Sequence, residues 1–183
     1  MGRIPVAEIE GTTYPVRRDL PNEYYVWIGS VIQAHALIEL RMQETLFDLM
    51  GTEYPRGRVA FAHRDPAVLF KTARDLLDLL GIKLDPSLNL QEFEDEIRSR
   101  TVERNNLAHG VWLEGPNNTI ALRVTFGQIN HPDGRIHVRA FLPELQVLTY
   151  DYFRKVREET LATVDRLCLF QEVVKQALAH RSK

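Results

Sequence analysis

The feature that most constrains this fold is a run of apolar residues that recurs every three or four positions from residue 22 to residue 50. Residues at that spacing lie on one face of an α-helix, and this face must pack against other apolar surface. Asn22 follows Pro21 and suits an N-cap, while Gly51 stands just past the last apolar position. The pattern predicts a long amphipathic helix whose inner face carries Tyr24, Ile28, Val31, His35, Ile38, Met42, Leu46 and Leu49.

Three further segments repeat the helical spacing. Asp65-Pro66 predicts the start of a second helix that continues to Gly81, with the aspartate as cap and the proline in the first turn. A third helix is predicted after Asp85-Pro86-Ser87, and it ends at Gly110. Pro143-Glu144 is expected to begin a fourth helix with one apolar stripe to the C-terminus, long enough for part of that stripe to face another subunit.

Between residues 111 and 142 the apolar spacing changes to every second residue, which indicates β-strands. Turn residues occur at Gly115-Pro116-Asn117-Asn118 and at His131-Pro132-Asp133-Gly134. These observations predict a three-stranded antiparallel β-meander. Its strands are expected at Val111 to Leu113, Thr119 to Phe126 and Arg135 to Phe141.

The predicted fold is therefore mainly α, a bundle of four long helices with the β-meander inserted before the last helix. Residues 22 to 183 are expected to form a single domain. Residues 1 to 21 show no helical period and predict an extended N-terminal arm, with a short strand around Ile4 to Ile9.

Composition and charge limit the partners and the cellular location that we expect for this protein. The net charge of −2 does not predict general binding to nucleic acid, so contact with an anionic partner needs a local basic patch. No run approaches the roughly 18 apolar residues of a membrane span, and the start lacks the apolar segment of a signal peptide. We therefore expect a cytoplasmic protein without a membrane partner. The one cysteine, Cys168, cannot form an internal disulfide and is predicted to be buried.

Familiar enzyme signatures are absent from the sequence. It has no phosphate-binding loop, no dinucleotide glycine fingerprint, no Gly-x-Ser-x-Gly elbow and no zinc-binding His-Glu-x-x-His helix. His131 and His137 flank a predicted turn without cysteines or a dense set of carboxylates, so neither a metal nor another cofactor is expected. His35 lies on the apolar stripe, where a hydrogen-bonded core histidine is the usual outcome and a functional role is the alternative.

Two other groups of residues have both a structural and a functional interpretation. Tyr24, Tyr25 and Trp27 have the spacing of packing residues in a helix, with stacking on nucleic-acid bases as the alternative. The basic loop from residue 52 to 65 could contact phosphates or simply be solvated. The candidate RNA-binding arginines are Arg56, Arg58 and Arg64 of this loop, together with Arg100.

The segment from Ser99 to Gly110 does not have the composition of an ordinary helix end. On a helix, Asn105 and His109 share a face, and the long side chain of Arg104 can reach the same region. Such a trio suits cleavage of RNA through its own 2′-hydroxyl, because histidine moves protons near neutral pH, arginine stabilises the extra negative charge of the phosphorane, and an amide orients the phosphate or the histidine. The other interpretation is a plain helix terminus, in which His109 meets the negative end of the helix dipole and Gly110 caps it.

Arg104-Asn105-Asn106-Leu107-Ala108-His109 resembles the motif of the HEPN superfamily (higher eukaryotes and prokaryotes nucleotide-binding domains), in which an arginine and a polar residue precede a histidine by a short spacer. The resemblance extends to the organisation of residues 22 to 180, since the motif ends a late helix of a helical bundle and one more helix follows. Only about seven residues carry it at the level of sequence.

The resemblance implies a metal-independent endoribonuclease, often a toxin or antiviral effector, whose active site forms between two copies of the motif in a homodimer. Arg104 would then stabilise the phosphate, His109 would act as acid or base, and Asn105 would be the polar residue of the motif. RNA and an antitoxin-like protein are the partners that follow from it. Other members of the superfamily are non-catalytic nucleotide-binding or interaction modules, and the predicted meander is an addition to the simple bundle, so this alternative stays open.

Overall fold

The computed structural model describes residues 6–9, 12–16, 19–53, 56–57, 61, 64–114, 121–130, 136–141 and 148–181. Within these residues the chain divides into two compact units. The first unit comprises residues 1–30 and 104–155, and the second unit comprises residues 31–103 and 156–183. Three helices run through both units, and each unit is described here by itself.

The described part of the chain is mainly helical, as the sequence predicts. Four long helices account for most of it: α1 (Asn22–Met50), α2 (Pro66–Leu79), α3 (Leu90–His109) and α4 (Tyr150–Arg181), with a short 3₁₀ turn at Pro86–Leu88. The repeat of apolar residues at three- and four-residue steps explains this result, because each helix has a continuous face to bury.

The helix caps follow the local sequence. The Asp65 carboxylate accepts a hydrogen bond from the backbone N–H of Ala67 at 2.8 Å, and Pro66 occupies the first helical position, so the predicted start of α2 is confirmed. Helix α2 ends at Leu79, and Gly81 follows in the left-handed region with φ +64°. The Asp85 carboxylate accepts a hydrogen bond from the backbone N–H of Ser87, which lowers the pKa of Asp85.

The start of α4 differs from the prediction. The sequence placed it at Pro143-Glu144, which lies outside the described residues, and it placed Leu148 within the helix. In the structure Leu148 precedes the helix. The side-chain Oγ1 of Thr149 accepts a hydrogen bond from the backbone N–H of Tyr152 at 3.3 Å, and its backbone carbonyl oxygen accepts one from the N–H of Phe153 at 3.2 Å. The side chain of Thr149 thus caps the first turn of α4.

The strands form two small antiparallel sheets. In the N-terminal arm β1 (Val6–Ile9) pairs with β2 (Thr12–Pro15), and Val16 bridges to Leu113. The other sheet has the order β3-β4-β5, with β3 at Val111–Glu114, β4 at Ala121–Asn130 and β5 at Ile136–Phe141. The two turn segments quoted from the sequence, 115–118 and 131–134, lie outside the described residues.

The core of the second unit is built from the inner faces of the four helices. Phe70 at its centre contacts Phe93 and Phe170, with ring centroids 5.1 Å and 5.4 Å away. Cys168 is only half-buried at the edge of this core, so the prediction of a fully buried thiol is wrong. The largest buried members of the core are Ile38, Met42, Leu46, Leu69, Phe70, Phe93, Ile97, Leu167 and Phe170.

Candidate functional site

The motif residues occupy the last two turns of α3. The helix ends at His109, and the backbone N–H of Gly110 still donates to the carbonyl oxygen of Asn106 at 3.0 Å, which closes the final turn. The predicted end of this helix at Gly110 is therefore confirmed. Leu107 between the motif residues is buried and fixes the rotation of the helix end.

The three candidate catalytic residues all lie in the first unit, and they differ in exposure. Asn105 and His109 are exposed, and Arg104 is half-buried. Because Asn105 and His109 are four positions apart, their side chains leave the same face of α3. The structure thus presents an amide and an imidazole to solvent on one face, with a guanidinium one position earlier in the chain.

Arg100 has a structural partner. Its guanidinium forms an ion pair and hydrogen bond with the carboxylate of Glu159 in α4, and only 18% of its side chain is exposed. Arg100 belongs to the second unit, whereas the motif residues belong to the first. The contact joins α3 to α4 within the second unit, and it already satisfies the charge that a phosphate would have to bind.

The loop arginines are also in the second unit. Arg56 and Arg64 are exposed, and their backbone N–H groups donate to the carbonyl oxygens of Glu53 and Phe61, respectively. Arg58 lies outside the described residues. Arg56 and Arg64 belong to the second unit and Arg104 belongs to the first, and the grouping of the basic residues stays a prediction.

His35 is a core histidine, as the sequence indicated. Its side chain is only 1% exposed, and its Nε2 lies 3.1 Å from Thr101 Oγ1. The Thr101 hydroxyl also donates to the carbonyl oxygen of Ile97 at 3.0 Å, so its oxygen accepts the Nε2–H of His35. The other ring nitrogen, Nδ1, lies 3.4 Å from a carboxylate oxygen of Glu39. His35 therefore links α1 to α3 by a buried polar contact.

The other two histidines considered from the sequence have no described side chains. His131 lies outside the described residues, and His137 belongs to β5. Within the ranges that the structure describes, no group of three or more His, Cys, Asp or Glu residues is arranged to hold a metal ion. The same ranges contain no helix that is long and apolar enough to cross a membrane.

A feature that the sequence did not reveal is a group of six rings in the first unit, Tyr24, Trp27, Trp112, Tyr150, Tyr152 and Phe153, which we call the aromatic cluster. The residues come from the start of α1, from β3 and from the start of α4, and each ring has at least one partner with a centroid distance of 5.0 to 5.7 Å or, for Trp112, 6.3 Å. Tyr24 also donates to the carbonyl oxygen of Leu148 at 3.3 Å.

The prediction that Tyr24 and Trp27 pack is confirmed, whereas Tyr25 is half exposed and has no ring partner among the described residues. The Tyr25 hydroxyl accepts the backbone N–H of Leu20 at 3.0 Å instead. The only signal in the sequence is that aromatic residues occur in three distant segments of the chain. That signal does not show which rings contact one another.

Comparison with known proteins identified no relative of this chain. No family model, no curated protein and no solved structure matches this chain.

Proposed function

We propose that the protein is a HEPN-like, metal-independent endoribonuclease that cleaves RNA through attack of the 2′-hydroxyl on the adjacent phosphate. The observation that carries the proposal is the pair of exposed side chains, Asn105 and His109, on one face at the end of α3, with Arg104 beside them. The HEPN-like form of the helical bundle is part of the same proposal and rests on the motif.

The chemistry follows from the residue types. A histidine removes the proton of the 2′-hydroxyl, the oxygen attacks phosphorus, and a proton returns to the departing 5′-oxygen, so that a 2′,3′-cyclic phosphate and a free 5′-hydroxyl result. Arg104 stabilises the additional negative charge on the phosphate oxygens, and the Asn105 amide orients either the phosphate or the imidazole. No metal is needed for any of these steps.

One histidine cannot readily act on both oxygens at once, so the proposal includes a homodimer in which two copies of His109 face one cleft. The proposal also includes a biological role: the protein acts as a toxin or defence effector, and an antitoxin-like protein controls it. RNA is the substrate.

The test is an RNA cleavage assay in the presence of a metal chelator, with His109→Ala as the variant. We expect the wild type to yield cyclic-phosphate ends and the variant to be slower by about 10²- to 10⁴-fold, the usual contribution of a general acid or base. His180→Ala is the matched control, because His180 is also an exposed histidine in the last turn of a helix. Equal cleavage by His109→Ala and wild type would exclude the proposed enzyme.

The alternative is a non-catalytic HEPN-like module that binds nucleotides or another protein. Two observations favour it: Arg100 is already paired with Glu159, and the net charge of the chain is −2. The geometry of the oligomer separates the two functions. Two His109 side chains that share one solvent cleft support the enzyme, and motifs that are buried or far apart in the assembly support the module.

A further inference from the structure

Helices α3 and α4 are joined by side-chain contacts at a regular interval. Thr163 Oγ1 lies 2.6 Å from the Glu96 carboxylate, and the Arg100 guanidinium donates to the Glu159 carboxylate. From the first contact to the second, α3 advances by four residues and α4 goes back by four, so the two helices run in opposite directions. Each step of four residues moves about 6 Å along both axes and turns the side chain by only about 40°.

The next step of four residues brings Arg104 of α3 and Lys155 of α4 to one level. Both helices continue without a break through these residues, which belong to the first unit. Within this unit the Trp112 ring stacks with the Phe153 ring, with centroids 6.5 Å apart, so the start of α4 lies beside the chain that follows α3. Arg104 is half-buried and Lys155 is exposed. The register of the helices thus brings two cationic side chains together where solvent can reach them.

The charges at this level differ from those at the two levels before it. At each of those levels an acidic side chain of one helix faces a hydrogen-bond donor of the other. Arg104 and Lys155 carry the same charge, and like charges at close range repel each other. An anion that contacts both side chains offsets this repulsion, and phosphate oxygens accept hydrogen bonds from arginine and from lysine. The pair is therefore complementary in charge to a phosphate.

We infer that Lys155 is a further phosphate-binding residue, which holds the backbone phosphate of RNA together with Arg104. This inference rests on the proposed function, because it adds a substrate-binding residue in the same unit as His109. Lysine carries a compact charge on a flexible side chain, so it binds phosphate without reading the bases. Removal of Lys155 therefore weakens binding to every RNA sequence alike.

The salt dependence of RNA binding tests this role directly, because each cation that neutralises a phosphate releases counterions. The full chain with His109→Ala is titrated with a short, fluorescently labelled single-stranded RNA between about 0.05 and 0.2 M salt, so that binding is measured without cleavage. We expect Lys155→Gln to reduce the slope of log K against log salt by about 0.7, the contribution of one phosphate contact on a single strand, and to weaken binding about fivefold in about 0.1 M salt. Lys155→Arg keeps the charge and is expected to bind like the parent.

Lys71→Gln is the matched control, because Lys71 is also an exposed lysine in a helix but belongs to the second unit. An unchanged salt slope for Lys155→Gln overturns the inference, and so does an equal change for Lys71→Gln or the absence of RNA binding. If the wild-type protein does not cleave RNA but Lys155→Gln alone reduces the slope, the proposed enzyme fails and the phosphate site stands. Cleavage that depends on His109, with an unchanged slope for Lys155→Gln, gives the opposite result.

Discussion

The buried contact between His35 and Thr101 allows a stability prediction that can be worked from the structure. Thr101→Val keeps the shape of the side chain but removes its oxygen, so the Nε2–H of His35 loses its acceptor in a place where the histidine is only 1% exposed. A buried donor without a partner costs about 1–3 kcal/mol, in addition to about 1 kcal/mol for the lost hydrogen bond to Ile97. We expect Thr101→Val to lower the free energy of unfolding by about 2–4 kcal/mol.

Thr160 supplies the matched control for this prediction. It is 2% exposed, and its hydroxyl donates to the carbonyl oxygen of Val156 at 2.7 Å, four residues earlier, as Thr101 does to Ile97. Thr160→Val therefore removes the same kind of bond without leaving a histidine behind, and it should cost only about 1 kcal/mol. For a chain of this size, each kcal/mol of difference in unfolding free energy between the two variants corresponds to about 2–4 °C in melting temperature.

The assay is urea and thermal unfolding followed by circular dichroism, combined with a double-mutant cycle. Replacing both partners, as in His35→Leu with Thr101→Val, removes the stranded donor, so the double variant should be no less stable than Thr101→Val alone. Nitrogen chemical shifts of His35 should show a proton on Nε2. Equal destabilisation by Thr101→Val and Thr160→Val, or a coupling free energy near zero, would refute the reasoning.

The remaining predictions concern backbone conformation and pH. Gly81→Ala should lower the free energy of unfolding by about 1 kcal/mol, because φ is +64° at that residue. Gly29→Ala, in the interior of α1 and with no atom within 4 Å of the added Cβ, should raise it by about 0.5–1 kcal/mol. Chemical denaturation measures both changes, and changes of the same sign would contradict the left-handed conformation of Gly81. The backbone N–H of Ser87 lowers the pKa of Asp85 below its ordinary value of 3.8, so the carboxylate adds stability above that pH, and this contribution disappears as the pH falls through the lowered pKa. The stability difference between wild type and Asp85→Ala should accordingly shrink on acidification, and a difference that grows would show the reverse sign.

The helical part of the fold could be predicted because its causes are local. The apolar spacing along residues 22 to 50 and the Asp65-Pro66 cap depend on neighbours in the sequence, and both correspond to observed helices. The start of α4 could not be predicted in the same way. In the sequence, Thr149 does not differ from threonines that cap no helix, whereas Pro143 is a more conspicuous signal for a helix start.

The candidate site was only partly accessible from the sequence. The positions of Asn105 and His109 on one face follow from helix geometry alone, because the two residues belong to a single element. The aromatic cluster depends on the pairing of segments that are more than one hundred residues apart, such as Trp27 and Tyr150, and a periodic pattern contains no such information. The same limitation applies to Arg100, since its partner Glu159 lies 59 positions away.

Arg100 and Arg104 show why charge alone does not identify a functional arginine. They lie four positions apart in α3, so both are on the same face of the helix, and both carry the same charge. Arg100 is paired with Glu159 in the second unit, and removing Arg100 would break this ion pair between α3 and α4. Arg104 lies in the unit that also contains His109 and the aromatic cluster. The structural role of Arg100 therefore follows from the residues that surround its guanidinium, and this is a property of the fold.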